Sequence, residues 1–202
     1  MASDIQPTVS FRAMKDGTYE DYQLLAELET SYHQRTADRL LEAFRAQDQE
    51  SLDGYKISRM EHGLQAATRA LRENADIEWV VAALLHDIGD GLAPQNHDKM
   101  AAAIFRPFVR EEVTWVIEHH GLFQTVYYGH HYGWDPEERQ KFKDHPYYRS
   151  AVEFCERWDQ SSFDDNYESE PLSLFEPMVR EVFGREAYAT EILQPGVVRG
   201  LP

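Results

Sequence analysis

Cysteine is nearly absent. Cys155 stands alone in 202 residues, which excludes an internal disulfide and fits a reducing compartment, so a cytoplasmic protein is expected. No apolar run reaches the roughly 18 residues that a membrane span needs. The opening MASDIQPTVS has no basic stretch leading into an apolar one, so no secretory leader is expected. Basic residues are outnumbered, 20 Lys and Arg against 36 Asp and Glu, for a formal net charge of −16. That balance argues against a nucleic-acid partner, whose phosphates need clustered Lys and Arg. It also suits a highly anionic nucleotide substrate poorly, and its plainest consequence is solubility. Strand alternation, internal repeats, low-complexity runs and interdomain linkers are missing as well.

What is present is helical periodicity. With 42% hydrophobic and 12% aromatic residues, the chain suits one domain over 1–202, its core lying at about 21–183 between an N-terminal helical extension and a short C-terminal tail. Leu24, Leu25 and Leu28, then Leu40, Leu41 and Phe44, mark helix over 21–46, and Met60, Leu64, Ala67 and Leu71 mark another over 57–73. Asp76 is placed to cap a helix running through WVVAALL, ended by Gly89 and Gly91. Asn96 is placed to cap the next, which Pro107 stops, and 110–120 forms a fifth. The Tyr- and Gly-rich stretch 121–133 reads as a loop, a short helix follows Asp135-Pro136, another spans about 146–160, and the tail from 184 reads as a loop with little core. The expected class is all-α.

Six residues then stand out: His62, the doublet His86-Asp87, His97, His120 and Asp159. All are competent transition-metal ligands. Helical phase points them inward. His120 is in register with Val113, Val116 and Ile117, His62 precedes Ala66 and Ala70, and Asp159 follows Val152 and Cys155. His119, in register with Glu112, points outward on the same reasoning. A carboxylate in an apolar stripe is costly without a cation. One metal rarely needs six protein ligands, whereas two metals sharing one carboxylate would use them all.

The segments RMEHGLQAATRA, VVAALLHDIGD, NHDKMAAAIF, WVIEHHGLFQ and FCERWDQ resemble the HD-domain superfamily over about residues 50–183, and the two histidines between the doublet and the last Asp resemble its dinuclear branch. The resemblance implies a helical HD-domain bundle. It implies one metal on His62, His86, Asp87 and Asp159 and a second on His97, His120 and the bridging Asp87, with Asp87, His97 and His120 closest to the reaction. Most such proteins are phosphohydrolases. A smaller group resembles myo-inositol oxygenase and the organophosphonate-cleaving oxygenases, which use a mixed-valent Fe(II)/Fe(III) pair and O2. The short interval from His86 to His97, the acidity and the lack of a nucleotide-binding insertion favour that group. From FRAMKDGTYEDY through FEPMVREVF the chain is similar to members that convert hydroxylated trimethylaminoethylphosphonate to glycine betaine and phosphate. Two iron ions, a small organophosphonate and O2 are therefore the expected cofactors and partners. A phosphohydrolase acting on a small phosphate ester with the same ligands is the alternative.

Candidate substrate contacts follow. Tyr55, two turns before His62, offers an aromatic face to a methylated ammonium or simply packs at a helix start. Phe123, Tyr127, Tyr128 and Tyr132 either extend that cage or pack a loop. Gln124 lies one turn after His120. Arg157 offers a guanidinium to phosphonate oxygens, with a surface ion pair as its other reading. Asp90 stands where many relatives carry a substrate-contacting Lys or His, and either balances a cationic substrate or caps a helix end. Some relatives cover the open iron with a Tyr from an N-terminal element, for which Tyr19, Tyr22, Tyr32 and Tyr55 are all candidates.

Overall fold

A computed structural model describes residues 7–49 and 53–202. Among these residues the regular structure is helical, and the sole β-type pairing is an isolated bridge between Asp53 and Tyr55. No helix among them is long and apolar enough to cross a membrane.

The stretch expected to be helical over 21–46 divides at Arg35 into α1 (Tyr19–Gln34) and α2 (Thr36–Ala46). Helix α1 starts from a reciprocal cap between Thr18 and Asp21. The Asp21 carboxylate also accepts from the N–H and hydroxyl of Ser10 at 2.7 and 2.8 Å, and these bonds hold its pKa down at about 2. The leucines of α1 do not form core: Leu24 and Leu25 are half-buried and Leu28 is exposed. Helix α2 does, through Ala37, Leu40, Leu41 and Phe44.

Helix α3 (Arg59–Arg72) opens on a capping box between Ser58 and Glu61. Its most buried face is His62, Gly63, Ala66, Ala67 and Ala70, whereas the expected stripe residues Met60, Leu64 and Leu71 are only partly buried. The close approach of α4 (Ile77–Leu85) explains this. A Cβ at Gly63 would lie 2.4 Å from the Leu84 carbonyl oxygen, so only small residues fit along the contact. Helix α4 is capped by Asp76, whose side chain accepts from the N–H groups of Glu78 and Trp79, and it is buried from Trp79 through Leu85. A helix apolar all round belongs at the centre of the molecule. Gly89 serves the next contact: a Cβ there would sit 2.8 Å from the carbonyl of His97, the first residue of α5 (His97–Phe105). Asn96 holds the N-cap position of α5 but makes no side-chain cap bond.

Helix α6 runs over Glu111–Tyr128, so 121–128 is helix and not loop. Gly121 lowers helix propensity, but packing outweighs it: Phe123 is buried against Trp115, Tyr148 and Phe142. Short 3-10 turns at Gly129–Tyr132 and Glu138–Phe142 lead to α7 (Tyr148–Phe154), which passes directly into a π-helical segment, Cys155–Asp159. Helix α8 (Leu172–Phe183) packs on α2 and α4, and α9 (Thr190–Leu193) is a single turn. One cluster of buried apolar side chains extends from Ala37 to Phe183.

The tail departs from its expected looseness. Glu112, fully buried, accepts from the backbone N–H groups of Arg199 and Gly200 at 3.0 and 2.9 Å and from the Ser150 hydroxyl at 2.7 Å. Trp79 Nε1 donates to the Gly200 carbonyl at 3.0 Å, and Leu201 packs on the core. The register argument that turned His119 outward through Glu112 therefore fails in its premise. His119 is nonetheless away from the centre, half-buried and stacked on Trp115 at 4.2 Å.

Because the atom facing Gly63 is backbone, which cannot swing aside, Gly63→Ala should destabilise the protein by about 1–3 kcal/mol. A lower urea midpoint with an unchanged denaturant slope would register it.

Candidate metal centre

Three α-helices, the turn after a fourth and the π-helical segment deliver the six residues to one place. His62 comes from the second turn of α3, His86 and Asp87 from the turn that ends α4, His97 from the start of α5, His120 from the middle of α6 and Asp159 from the π-helical segment. In that segment Gln160 N–H donates to the Cys155 carbonyl, five residues back, which widens the turn and lets Cys155, Trp158 and Asp159 all face inward.

The Asp87 carboxylate lies between two groups of imidazoles. Its Oδ1 is 3.3 Å from His97 Nε2 and 3.2 Å from His120 Nε2. Its Oδ2 is 3.7 Å from both His62 Nε2 and His86 Nε2. Asp159 Oδ1 completes the second group, 3.3 Å from His62 Nε2 and 3.5 Å from His86 Nε2. The backbone carbonyl of Asp87 accepts from the buried Gln47 side chain at 2.7 Å, which fixes the turn.

The donor set fits metal ions. Each imidazole has its Nδ1 against a backbone carbonyl: His62 on Ser162, His86 on Ala83, His97 on Pro94 and His120 on Ile117, at 2.7–3.1 Å. Those bonds assign the ring proton to Nδ1 and leave Nε2 as a lone pair. His62 Nε2 and His86 Nε2 then face each other at 3.0 Å with no ring proton between them. Asp159 Oδ2 is buried with no hydrogen-bond partner. Lone pairs converging on one point call for a cation. Protonation behaves accordingly. Burial would lower the pKa of His62, but Asp159 and Asp87 outweigh it and the net shift is upward. Burial would raise Asp87, but His86, His120 and His62 hold it well below the usual carboxylate range.

A cavity of about 480 Å³ opens onto one side of the centre, lined by Asp87, His97, His120 and Asp159 but by neither His62 nor His86. Phe163 stacks on the His62 ring at 4.4 Å, and Tyr55 stacks on Phe163 at 5.6 Å. Tyr127, Tyr128, Tyr132 and Trp134 belong to the same lining. Burial pushes the Tyr127 hydroxyl up to about 12, so it is a neutral phenol at physiological pH.

This arrangement agrees with the comparison of the chain with known families. Residues 59–150 match the HD domain family. Comparison with curated protein sequences gives no match. The HD-domain match spans His62, His86, Asp87, His97 and His120 and ends before Asp159. The HD domain and the buried His/Asp cluster together point to a divalent-metal site.

Tyr55 and Gln124 line the cavity, and so do Tyr127, Tyr128 and Tyr132. Phe123 does not, being buried in the core. Arg157 is corrected: it pairs with Glu73, donates to the Pro202 carbonyl at 2.8 Å and lies over Trp158, outside the cavity lining. Two residues from Asp159, it projects from another side of the helix. Asp90 neither faces the cavity nor caps a helix; it accepts from Arg59 Nε at 3.0 Å. Sequence reasoning missed Arg59, Gln160, Phe163 and Trp134. Arg59 lies one helical turn before His62, and that spacing was the available signal. Tyr19 and Tyr32 are exposed on α1, and Tyr22 bonds the Met14 carbonyl, so none of the three lines the cavity.

Two expectations follow. Metal analysis should find two ions per chain in the native protein, about one in His97→Ala, and fewer than one in Asp87→Ala. Arg157→Gln should lower the melting temperature without raising KM, because its partners are structural.

Proposed function

We propose that the protein is a di-iron oxygenase of HD type that cleaves the carbon–phosphorus bond of a 1-hydroxyphosphonate. Its substrate on this reading is hydroxylated trimethylaminoethylphosphonate, which with O2 yields glycine betaine and phosphate. The observation that carries the reading is the asymmetry of the centre. His97 and His120 line the cavity together with Asp87 and Asp159, whereas His62 and His86 lie off its lining, with Phe163 stacked on His62. Two irons held by these residues would supply one-electron chemistry with O2, the cavity-facing one having fewer protein ligands and so room for substrate.

The chain's own side chains fit such a substrate at both ends. Two carboxylates, Asp87 and Asp159, do not neutralise two ions of charge two or more, so the loaded centre attracts an anion. Within the same lining, Tyr128, Tyr132 and Trp134 form a cluster with ring centroids 5.0–6.2 Å apart. Aromatic faces hold a methylated ammonium, which cannot donate a hydrogen bond. Tyr55 contributes less to this than its position in the sequence implied, since Phe163 stacks on it and the Arg59 guanidinium lies 5.2 Å from its ring centroid. Gln124 offers an amide within the same lining.

The test is oxygen uptake measured together with phosphate release. Iron-loaded, partly reduced protein is offered the trimethylammonium substrate, its primary-amine analogue and a generic phosphate ester. The expected result is one phosphate per O2 consumed, with the trimethylammonium compound preferred. Phosphate released from the ester without oxygen uptake would overturn the reading in favour of a metal-dependent phosphohydrolase, the reading that the HD domain itself favours.

A further inference from the structure

Among the described residues that line the cavity, Arg59 is the one arginine or lysine. Its Nη1 donates to Asp87 Oδ2 at 3.2 Å, its Nε donates to Asp90 at 3.0 Å, and the side chain is 19% exposed. We propose that Arg59 is the anion-recognition residue of this pocket, holding an oxygen of a tetrahedral phosphorus oxyanion beside the metal centre, with Asp90 fixing its orientation. The inference rests on the reading that the pocket takes a phosphonate or phosphate.

Electrostatics carries the argument. A guanidinium beside a carboxylate shared by two metal positions opposes metal binding, because like charges are brought close in a partly desolvated site. As a purely structural partner for Asp87, Arg59 would weaken the centre it adjoins. An anion bound at the metals and touching the guanidinium removes the conflict, since both cations then share one negative group. Geometry agrees. Asp90 occupies Nε and so sets the guanidinium plane, while Nη1 is already directed at Asp87 Oδ2, the oxygen that lies 3.7 Å from His62 Nε2 and from His86 Nε2. A phosphorus oxyanion matches the donor fork of arginine. The exposed Tyr55 face beneath the guanidinium limits its swing away from the centre.

Inorganic phosphate is the probe, because both phosphonate cleavage and ester hydrolysis release it; a failure of the oxygenase reading therefore leaves this test intact. Phosphate is titrated calorimetrically into manganese-loaded native, Arg59→Gln and Arg59→Lys proteins, each with its metal content measured. Both variants should keep their metal, and phosphate affinity should fall at least about tenfold in Arg59→Gln and less in Arg59→Lys. In parallel, native manganese-loaded protein is treated with phenylglyoxal with and without phosphate, and arginine modification is followed peptide by peptide. Phosphate should slow modification of Arg59 and leave the exposed Arg149 unaffected. Affinity within twofold of native in fully metal-loaded Arg59→Gln, or no protection of Arg59 by phosphate, overturns the proposal. Should Arg59→Gln lose its metal, the protection result in native protein decides alone.

Discussion

The site is organised around one carboxylate. Asp87 presents each of its oxygens to a pair of imidazole nitrogens, and it does so while buried, where an unpartnered charge is costly. Everything nearby restrains motion around it. Gln47 fixes the turn from α2, Arg59 and Asp90 flank the side chain, and the imidazoles are held by their other nitrogens. Three of the four use a carbonyl three residues earlier in the chain, Ala83, Pro94 and Ile117, so His86, His97 and His120 are oriented by their own local backbone. His62 alone depends on a distant segment, through the Ser162 carbonyl just beyond the π-helical turn. Its orientation is therefore coupled to the segment that presents Asp159.

That division explains what could be read from the sequence. Ligands oriented locally are visible as residue type plus helical phase, and the helices bearing them show apolar spacing that tertiary packing then reinforces. The all-helical class was legible for the same reason. Features that depend on distant partners were not. Glu112 looked like an outward-facing acid, yet it is buried beside Arg110 and accepts from the backbone N–H groups of Arg199 and Gly200 at the other end of the chain. The continuation of α6 past Gly121 rests on Phe123 finding Trp115, Phe142 and Tyr148, again a tertiary fact. Arg157 was attractive for its nearness to Asp159 in sequence, yet residues two apart on a helix diverge. Arg59 is three from His62 and shares its side of the helix.

The cavity lining mixes unlike chemistry. It holds an arginine and the shared carboxylate, a cluster of three large rings, and the amide groups of Gln124 and Gln160. Phe163 stacks on both Tyr55 and His62. It links the cavity wall to His62, one of the two imidazoles that lie off the lining.

The π-helical turn has a consequence for how chain length and identity relate. The segment Cys155–Asp159 carries one residue more than an α-helical turn would. A π turn and an α turn each close about one revolution, so the extra residue is taken up inside the segment and the chain beyond it keeps its direction relative to Phe154. At this corner of the molecule a one-residue insertion is absorbed by the helix rather than passed along it, and Cys155, Trp158 and Asp159 are all buried there. Two chains with the same six residue types can therefore differ by one in the spacing before the last of them and still bring it to the same place.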